Sequence, residues 1–142
     1  MTATARRLMC DQHRELRQHL AAGIVELHGL VDRRPTSGER LRSLLGGLRD
    51  AFAKHQTDEE TLVLPILEND RASQLREEHA RQRAELEALC AGQHQADDVD
   101  LARRFDRLAR TLLQDIALEE RLLLDDRRGA QAGFTASTRN LT

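Results

Sequence analysis

The stretch LARRFDRLARTLLQDIALEERL, residues 101–122, decides the fold of this chain. Its apolar residues recur at every third or fourth position, which is the spacing of one face of an α-helix. The apolar positions are Leu101, Phe105, Leu108 and Leu112. The same steps lead on to Asp115 and Glu119, so two acidic residues stand where core-facing apolar residues are expected.

The composition favours a single helical domain. The chain has 142 residues, of which 32% are charged and 2% are aromatic. That length suits one domain. A core of Leu and Ala without Trp or Tyr suits a helical bundle better than a β-sandwich. The formal net charge is −2 and no basic stripe occurs, so we do not expect nucleic acid as a partner.

The sequence contains no indication of a membrane segment or a secretory signal. Its apolar runs are too short to span a bilayer. The first residues, MTATARRLMCDQHREL, lack the apolar segment of a signal peptide. Cys10 and Cys90 are too few for a disulfide framework and fit free thiols in a reducing compartment. We therefore expect a cytoplasmic protein without a membrane partner, and the sequence leaves its oligomeric state open.

The helical periodicity predicts four helices joined by short connections. They cover residues 6–31, 39–67, 72–91 and 99–127. Thr36 with Glu39 predicts a capping box before the second helix, and Pro65 is expected to bend or end that helix. This pattern favours an all-α, antiparallel up-down-up-down four-helix bundle over residues 1–128. Residues 129–142 lack a periodic apolar face and are expected to form a disordered tail.

Polar residues interrupt the apolar face of each predicted helix at one place. There are six such positions, namely His13, His55, Glu59, His79, Asp115 and Glu119. In an antiparallel bundle, the starts of the first and third helices share a layer with the ends of the second and fourth. All six side chains are therefore expected in one layer of the core, facing inward. Gln82 lies one turn beyond His79 and is expected to hydrogen bond within this layer.

A core layer of three histidines and three carboxylates indicates a metal site. A single buried histidine usually has an ordinary hydrogen-bond partner, but each unpaired buried carboxylate costs several kcal/mol. A pair of metal ions supplies the compensating charge, and mixed imidazole and carboxylate ligands suit iron, manganese or zinc. Glu59 and Glu119 are placed to bridge two ions. The remaining ligands would be His13 and His55 on one ion, and His79 and Asp115 on the other.

At these residues the sequence resembles the hemerythrin-like, or HHE, domain family. The family pattern is His on helix one, His-x-x-x-Glu on helix two, His on helix three and His-x-x-x-Glu on helix four. The corresponding segments here are His13, HQTDE from His55 to Glu59, EEH ending at His79, and DIALE from Asp115 to Glu119. Ferritin-like di-iron proteins use Glu-x-x-His instead. The resemblance spans about residues 8–127 and implies a four-helix bundle around a non-heme di-iron centre.

The resemblance implies a protein that binds or senses dioxygen, nitric oxide or peroxide at two iron ions, because family members do so. Two alternatives stay open: a di-iron enzyme that reduces peroxide or nitric oxide, and a metal-free or single-metal bundle that acts as an interaction module. Asp115 departs from the family pattern, in which a histidine occupies this position. Our hypothesis is that this aspartate alters the second metal position and favours the oxidised metal.

Overall fold

The computed structural model describes the backbone of residues 1–139 and the side chains of residues 1–122. Over residues 1–139 the chain forms four α-helices and no strand, which confirms the all-α prediction. The helices are α1 (Ala3–Val31), α2 (Ser37–Leu62), α3 (Asn69–Gly92) and α4 (Asp98–Arg139). A short 3-10 turn, Leu64–Ile66, follows α2.

The four helices pack as a bundle in which each one has two neighbours. α1 contacts α2 and α4, and α3 contacts the same two helices. Because the connections are short, consecutive helices run antiparallel, and the prediction of a four-helix bundle is confirmed. Among the helices described, none combines the length and apolar character that crossing a membrane requires.

The apolar core fills the bundle on one side of the polar layer. Leu20, Leu41 and Leu101 are fully buried, and each such leucine stabilises the fold by roughly 1.5 to 3 kcal/mol through burial. Phe105 packs against the backbone of α1 at Gly23, where an added Cβ atom would overlap the aromatic ring. The close approach of α1 and α4 therefore requires a glycine at this position.

Two predictions about the ends of α2 have different outcomes. Thr36 precedes α2, but its side chain makes no capping hydrogen bond, so the prediction of a capping box is wrong. The physical reason is its backbone, with φ −99° and ψ −4°, whereas a capping residue needs an extended conformation. α2 ends at Leu62, and Pro65 lies in the 3-10 turn. Pro65 thus follows the end of the helix, as a residue without a backbone N–H is expected to do.

The fourth helix is longer than the sequence pattern predicts. α4 continues beyond Gly129 to Arg139, so the end predicted near Gly129 is wrong. A single glycine in a helix costs only about 1 kcal/mol, and the alanines that follow it are strong helix formers. Residues 140–142 lie outside the described residues, as do the side chains from residue 123 onward. The division into a bundle over 1–128 and a tail over 129–142 stays a prediction.

Candidate metal centre

Five of the six polar residues singled out in the sequence lie together in one layer of the bundle. The early turns of α1 and α3 bring His13 and His79 to the same height as the late turns of α2 and α4, because neighbouring helices are antiparallel. The buried members are His13, His55, Glu59 and His79, each at most 3% exposed. Glu119 is half-buried and completes the layer from α4.

Three of these side chains form a first group around the carboxylate of Glu119. Its Oε2 lies 2.7 Å from Nε2 of His13 and 3.5 Å from Nε2 of His55. The two imidazole rings are edge to face, with their centroids 4.8 Å apart. The three potential ligand atoms lie within 4.8 Å of one another, which places them within reach of one cation.

A second group of three ligands contains Glu59, His79 and, again, Glu119. The Oε2 atom of Glu59 lies 3.1 Å from Nε2 of His79 and 3.3 Å from Nε2 of His55. Glu59 therefore joins the two groups through its contacts with both imidazoles. Glu119 belongs to both groups, so the two groups share one carboxylate.

The packed charges shift the pKa values of the cluster. Burial by itself would lower the pKa of His55, but the carboxylates of Glu119 and Glu59 outweigh burial and raise it to about 9. Burial is likewise outweighed at His79, where Glu59 raises the pKa. Burial would raise the pKa of Glu59, yet the imidazoles of His55 and His79 lower it to about 2. Protons and metal ions would therefore compete for the same atoms.

Two buried atoms at the centre of the cluster show that the residues fit a cation. Nε2 of His55 and Oε2 of Glu59 lie 3.3 Å apart and attract each other by charge. Among residues 1–122, however, neither atom has a partner in hydrogen-bond geometry. A buried polar atom without a partner costs roughly 1 to 3 kcal/mol. A cation coordinated by these two atoms would satisfy both, and imidazole with carboxylate is a donor set that transition metals accept.

Asp115 lies beside the cluster and belongs to neither group of ligands within the described part of the chain. Its carboxylate accepts a hydrogen bond from the side-chain amide of Gln82, as expected for a polar contact within this layer. Burial raises the pKa of Asp115 to about 6, with a further contribution from Glu78 and Glu119. The role of Asp115 as a ligand stays a prediction.

Two cavities are each lined by three members of the cluster. The larger one, about 280 Å³, is bounded by His13, Glu59 and Glu119 together with apolar side chains. Its apolar walls include Met9, Val63, Leu75 and Leu122. The smaller one, about 10 Å³, lies beside His79 and Asp115 and is otherwise lined mainly by leucine, isoleucine and phenylalanine. That volume is close to the space of one water molecule.

The structure adds two residues that the sequence pattern missed. Gln12 accepts a hydrogen bond at its Oε1 from Nδ1 of His55, at 3.0 Å. Glu120 lies with Oε1 3.3 Å from Nδ1 of His13 and forms a two-point ion pair with Arg17. Both residues lie next to a candidate ligand in the sequence, and that adjacency is the signal by which they are recognisable.

The fold and the cluster define a four-helix bundle with a buried histidine–carboxylate site suited to metal. Residues 4–126 match the family model described as the hemerythrin HHE cation binding domain. The chain therefore belongs to the hemerythrin HHE family, whose domains bind metal cations. A comparison with curated proteins found no match, and a comparison with solved structures found none either.

Proposed function

We propose that this chain is a non-heme di-iron protein that binds or senses a small ligand such as dioxygen, nitric oxide or peroxide. The observation that carries the proposal is that Glu119 belongs to both groups of ligands, as the bridging carboxylate of a two-ion centre would. Three imidazoles with two carboxylates suit iron, and manganese or zinc are the alternatives.

Each residue of the cluster has a distinct role in this proposal. His13 and His55 would hold one ion, His79 and Glu59 the other, and Glu119 both. Bound iron would supply an exchangeable coordination position and a change of oxidation state. The chain itself surrounds the site with apolar side chains, which limit the access of water. The small cavity beside His79 has about the volume of one water molecule, and the larger one beside His13, Glu59 and Glu119, about 280 Å³, has room for a diatomic or peroxide ligand.

One observation favours the alternative of a reducing enzyme. Asp115 borders the small cavity, and its pKa of about 6 leaves a protonated fraction near neutral pH. The reduction of peroxide or nitric oxide consumes protons, and a carboxyl group with such a pKa is a suitable proton donor. In the binding alternative, the same carboxyl group only hydrogen bonds to Gln82.

Stopped-flow spectroscopy of the reduced, iron-loaded protein tests the proposal and separates the two functions. Binding or sensing predicts a spectral change with dioxygen, nitric oxide or peroxide that reverses when the ligand is removed. An enzyme predicts that each centre consumes many ligand molecules and that Asp115→Asn slows this turnover. Asp50→Asn is the matched control, because Asp50 is 80% exposed. The absence of any spectral change with all three ligands would refute both functions.

We also propose that the protein works in the cytoplasm. Its two cysteines support this location, because Cys10 and Cys90 are both free thiols and free thiols persist in reducing compartments. Cys10 is exposed and therefore open to a thiol-specific label in intact cells. Labelling of Cys10 by a membrane-permeant reagent, but not by an impermeant one, is the expected result. Equal labelling by both reagents would contradict it.

A further inference from the structure

The outward-facing nitrogen of each candidate histidine ligand lies close to a polar side chain from a neighbouring helix. Nδ1 of His13, on α1, is 3.3 Å from Oε1 of Glu120 on α4. Nδ1 of His55, on α2, is 3.0 Å from Oε1 of Gln12 on α1. In both cases Nε2 of the same ring faces the centre. Each imidazole is therefore held from outside while its other nitrogen points inward.

At the third histidine, His79, the corresponding contact is longer. Nδ1 of His79, on α3, is 3.5 Å from Oε1 of Glu60 on α2. This distance is too long for a good hydrogen bond, and His79 Nδ1 has no hydrogen-bond partner among the described residues. Arg83 also approaches Glu60, at 3.5 Å. Glu60 is thus the nearby acceptor for His79, and a shift of a few tenths of an ångström would complete the bond.

These three outer residues share one relation to the candidate ligands. Each is the direct sequence neighbour of a ligand on its own helix. The pairs are Gln12 with His13, Glu60 with Glu59, and Glu120 with Glu119. Successive residues of an α-helix are turned by about 100°, so the neighbour of an inward-facing residue lies on a flank of its helix, from which a long side chain can reach an adjacent helix. One residue can therefore face the metal layer while its neighbour faces the next helix.

The order within each pair follows from the direction of the helix. On α1 the outer residue precedes the ligand, whereas on α2 and α4 it follows the ligand. Reversing a helix reverses the sense in which successive residues turn when viewed from one end of the bundle. The three contacts therefore run around the bundle in the same sense, from α4 to α1, from α1 to α2, and from α2 to α3. We call Gln12, Glu60 and Glu120 the outer ring.

We propose that the outer ring positions the three imidazoles for metal binding, and this inference rests on the proposed di-metal function. A carboxylate or an amide oxygen only accepts a hydrogen bond, so Nδ1 must carry the proton and Nε2 keeps its lone pair for the metal. The orientation of Gln12 is fixed because its amide nitrogen donates to Asp58. The orientation of Glu120 is fixed by Arg17, at 2.6 and 2.8 Å.

The same relation between a ligand and its sequence neighbour predicts a fourth outer residue, on α3. On α3 the residue that precedes a ligand is Glu78, before His79. Glu78 lines a groove between α3 and α4 together with Asp115. The side chain of Asp115 has no N–H to offer to Glu78, and it accepts a hydrogen bond from Gln82. Glu78 is thus an available acceptor beside Asp115, the position at which α4 lacks a histidine.

The first test compares metal affinity in paired variants of the full chain, with Fe(II) or Zn(II) as the probe in competition with a chelator. Glu120→Ala and Gln12→Ala are expected to weaken binding by about 10- to 100-fold. Glu120→Gln and Gln12→Glu keep an acceptor and should restore affinity to within a few-fold of the wild type. Glu85→Ala, an exposed residue of α3, is the matched control. NMR of the histidine rings in the Zn(II)-loaded protein should show an Nδ1 proton that exchanges slowly with water in the wild type and in the restoring variants, and a rapidly exchanging one in the alanine variants.

The second test uses the fourth place of the ring. Asp115→His is expected to raise metal affinity, and adding Glu78→Ala should remove most of that gain. In the wild-type background, Glu78→Ala should have little effect, because Asp115 has no N–H to donate. Equal effects of Glu78→Ala in both backgrounds would overturn the rule.

The outcomes distinguish this inference from the proposed function. If the wild type binds no metal, the proposed di-metal function and the positioning role of the outer ring are both refuted. A different outcome would refute only the positioning role. In that outcome the wild type binds metal and Glu119→Gln does not, whereas the alanine variants of Gln12 and Glu120 bind metal as tightly as the control.

Discussion

Replacing Glu119 by glutamine removes the one carboxylate that both groups of ligands share. Its Oε2 is 2.7 Å from Nε2 of His13 and 3.5 Å from Nε2 of His55. The amide of a glutamine has nearly the same shape but carries no charge and is a weak metal ligand. We therefore expect Glu119→Gln to weaken the binding of both ions, while the apolar core beyond the site is unchanged.

The magnitude follows from the position of the carboxylate. A loss of about 100-fold in affinity at one ion corresponds to ~2.7 kcal/mol. If Glu119 serves both ions as proposed, the stabilisation by metal should fall by roughly 5 kcal/mol. For a chain of this size, 1 kcal/mol shifts the melting temperature by about 3 °C. The rise in melting temperature on adding metal should therefore be roughly 15 °C smaller in Glu119→Gln than in the wild type.

The assay is thermal unfolding followed by circular dichroism, with a chelator or with excess Fe(II) under anaerobic conditions. The chelated forms give the direct effect of the substitution on the fold, which we expect to be about 1 to 3 kcal/mol for the lost charged hydrogen bond. Glu85→Gln, at an exposed position of α3, is the matched control and should respond to metal as the wild type does. An equal response to metal in Glu119→Gln and the wild type would refute the role of Glu119 as the shared ligand.

Four further predictions concern proton release, the pH dependence of stability, the core and the altered ligand position. Metal binding at pH 7 should release about one proton from His55, whose pKa is about 9, and the release should vanish above that pH. Calorimetry in buffers of different ionisation enthalpy measures the number of protons released. The absence of proton release would contradict the role of His55 as a ligand. In chelated protein, the stability that the imidazolium of His55 adds is complete below pH 6.5 and is lost as the pH rises through about 9, so urea unfolding that is insensitive to pH over this range would count against it. Gly23→Ala should destabilise the fold by roughly 1 to 3 kcal/mol, because its Cβ would overlap Phe105. Gly46→Ala, with open space around the added Cβ, should stabilise the fold by about 0.5 to 1 kcal/mol. Equal unfolding midpoints for the two variants would exclude the steric cause. Asp115→His should change the absorption spectrum of the iron-loaded protein and raise its reduction potential, because the variant lacks a negative charge near the metal. An identical spectrum and potential in both proteins would exclude an influence of this position on the metal.

The fold was predictable because its determinants are local and periodic. Leucines such as Leu20, Leu41 and Leu101 mark one face of each helix at intervals of three and four, and all three are fully buried. The ends of the helices were less predictable. Thr36 has the side chain of a capping residue but a helical backbone. Gly129 did not end α4, because a single glycine is a weak signal against a long helical run.

The proximity of the candidate ligands was also foreseeable from the sequence. Each one interrupts an apolar face at the same height of an antiparallel bundle, so the periodicity and the topology together place them in one layer. The outer contacts were not foreseeable in this way. Gln12 and Glu120 lie off the apolar faces, and their partners depend on how each helix is rotated relative to its neighbour. Asp115 has the expected height and face, but whether its short side chain reaches the other ligands depends on the exact positions of the helices, which the sequence does not determine.

Elemental analysis tests the central claim, a two-ion centre that contains Glu119, most directly. The measurement is the number of metal ions per chain in protein purified without added metal and again after anaerobic loading with Fe(II) and removal of the excess. We predict two tightly bound iron ions per chain in the loaded wild type and a marked loss of both in Glu119→Gln. A loaded wild type that retains no metal, or a Glu119→Gln variant that retains two ions per chain, would contradict the account.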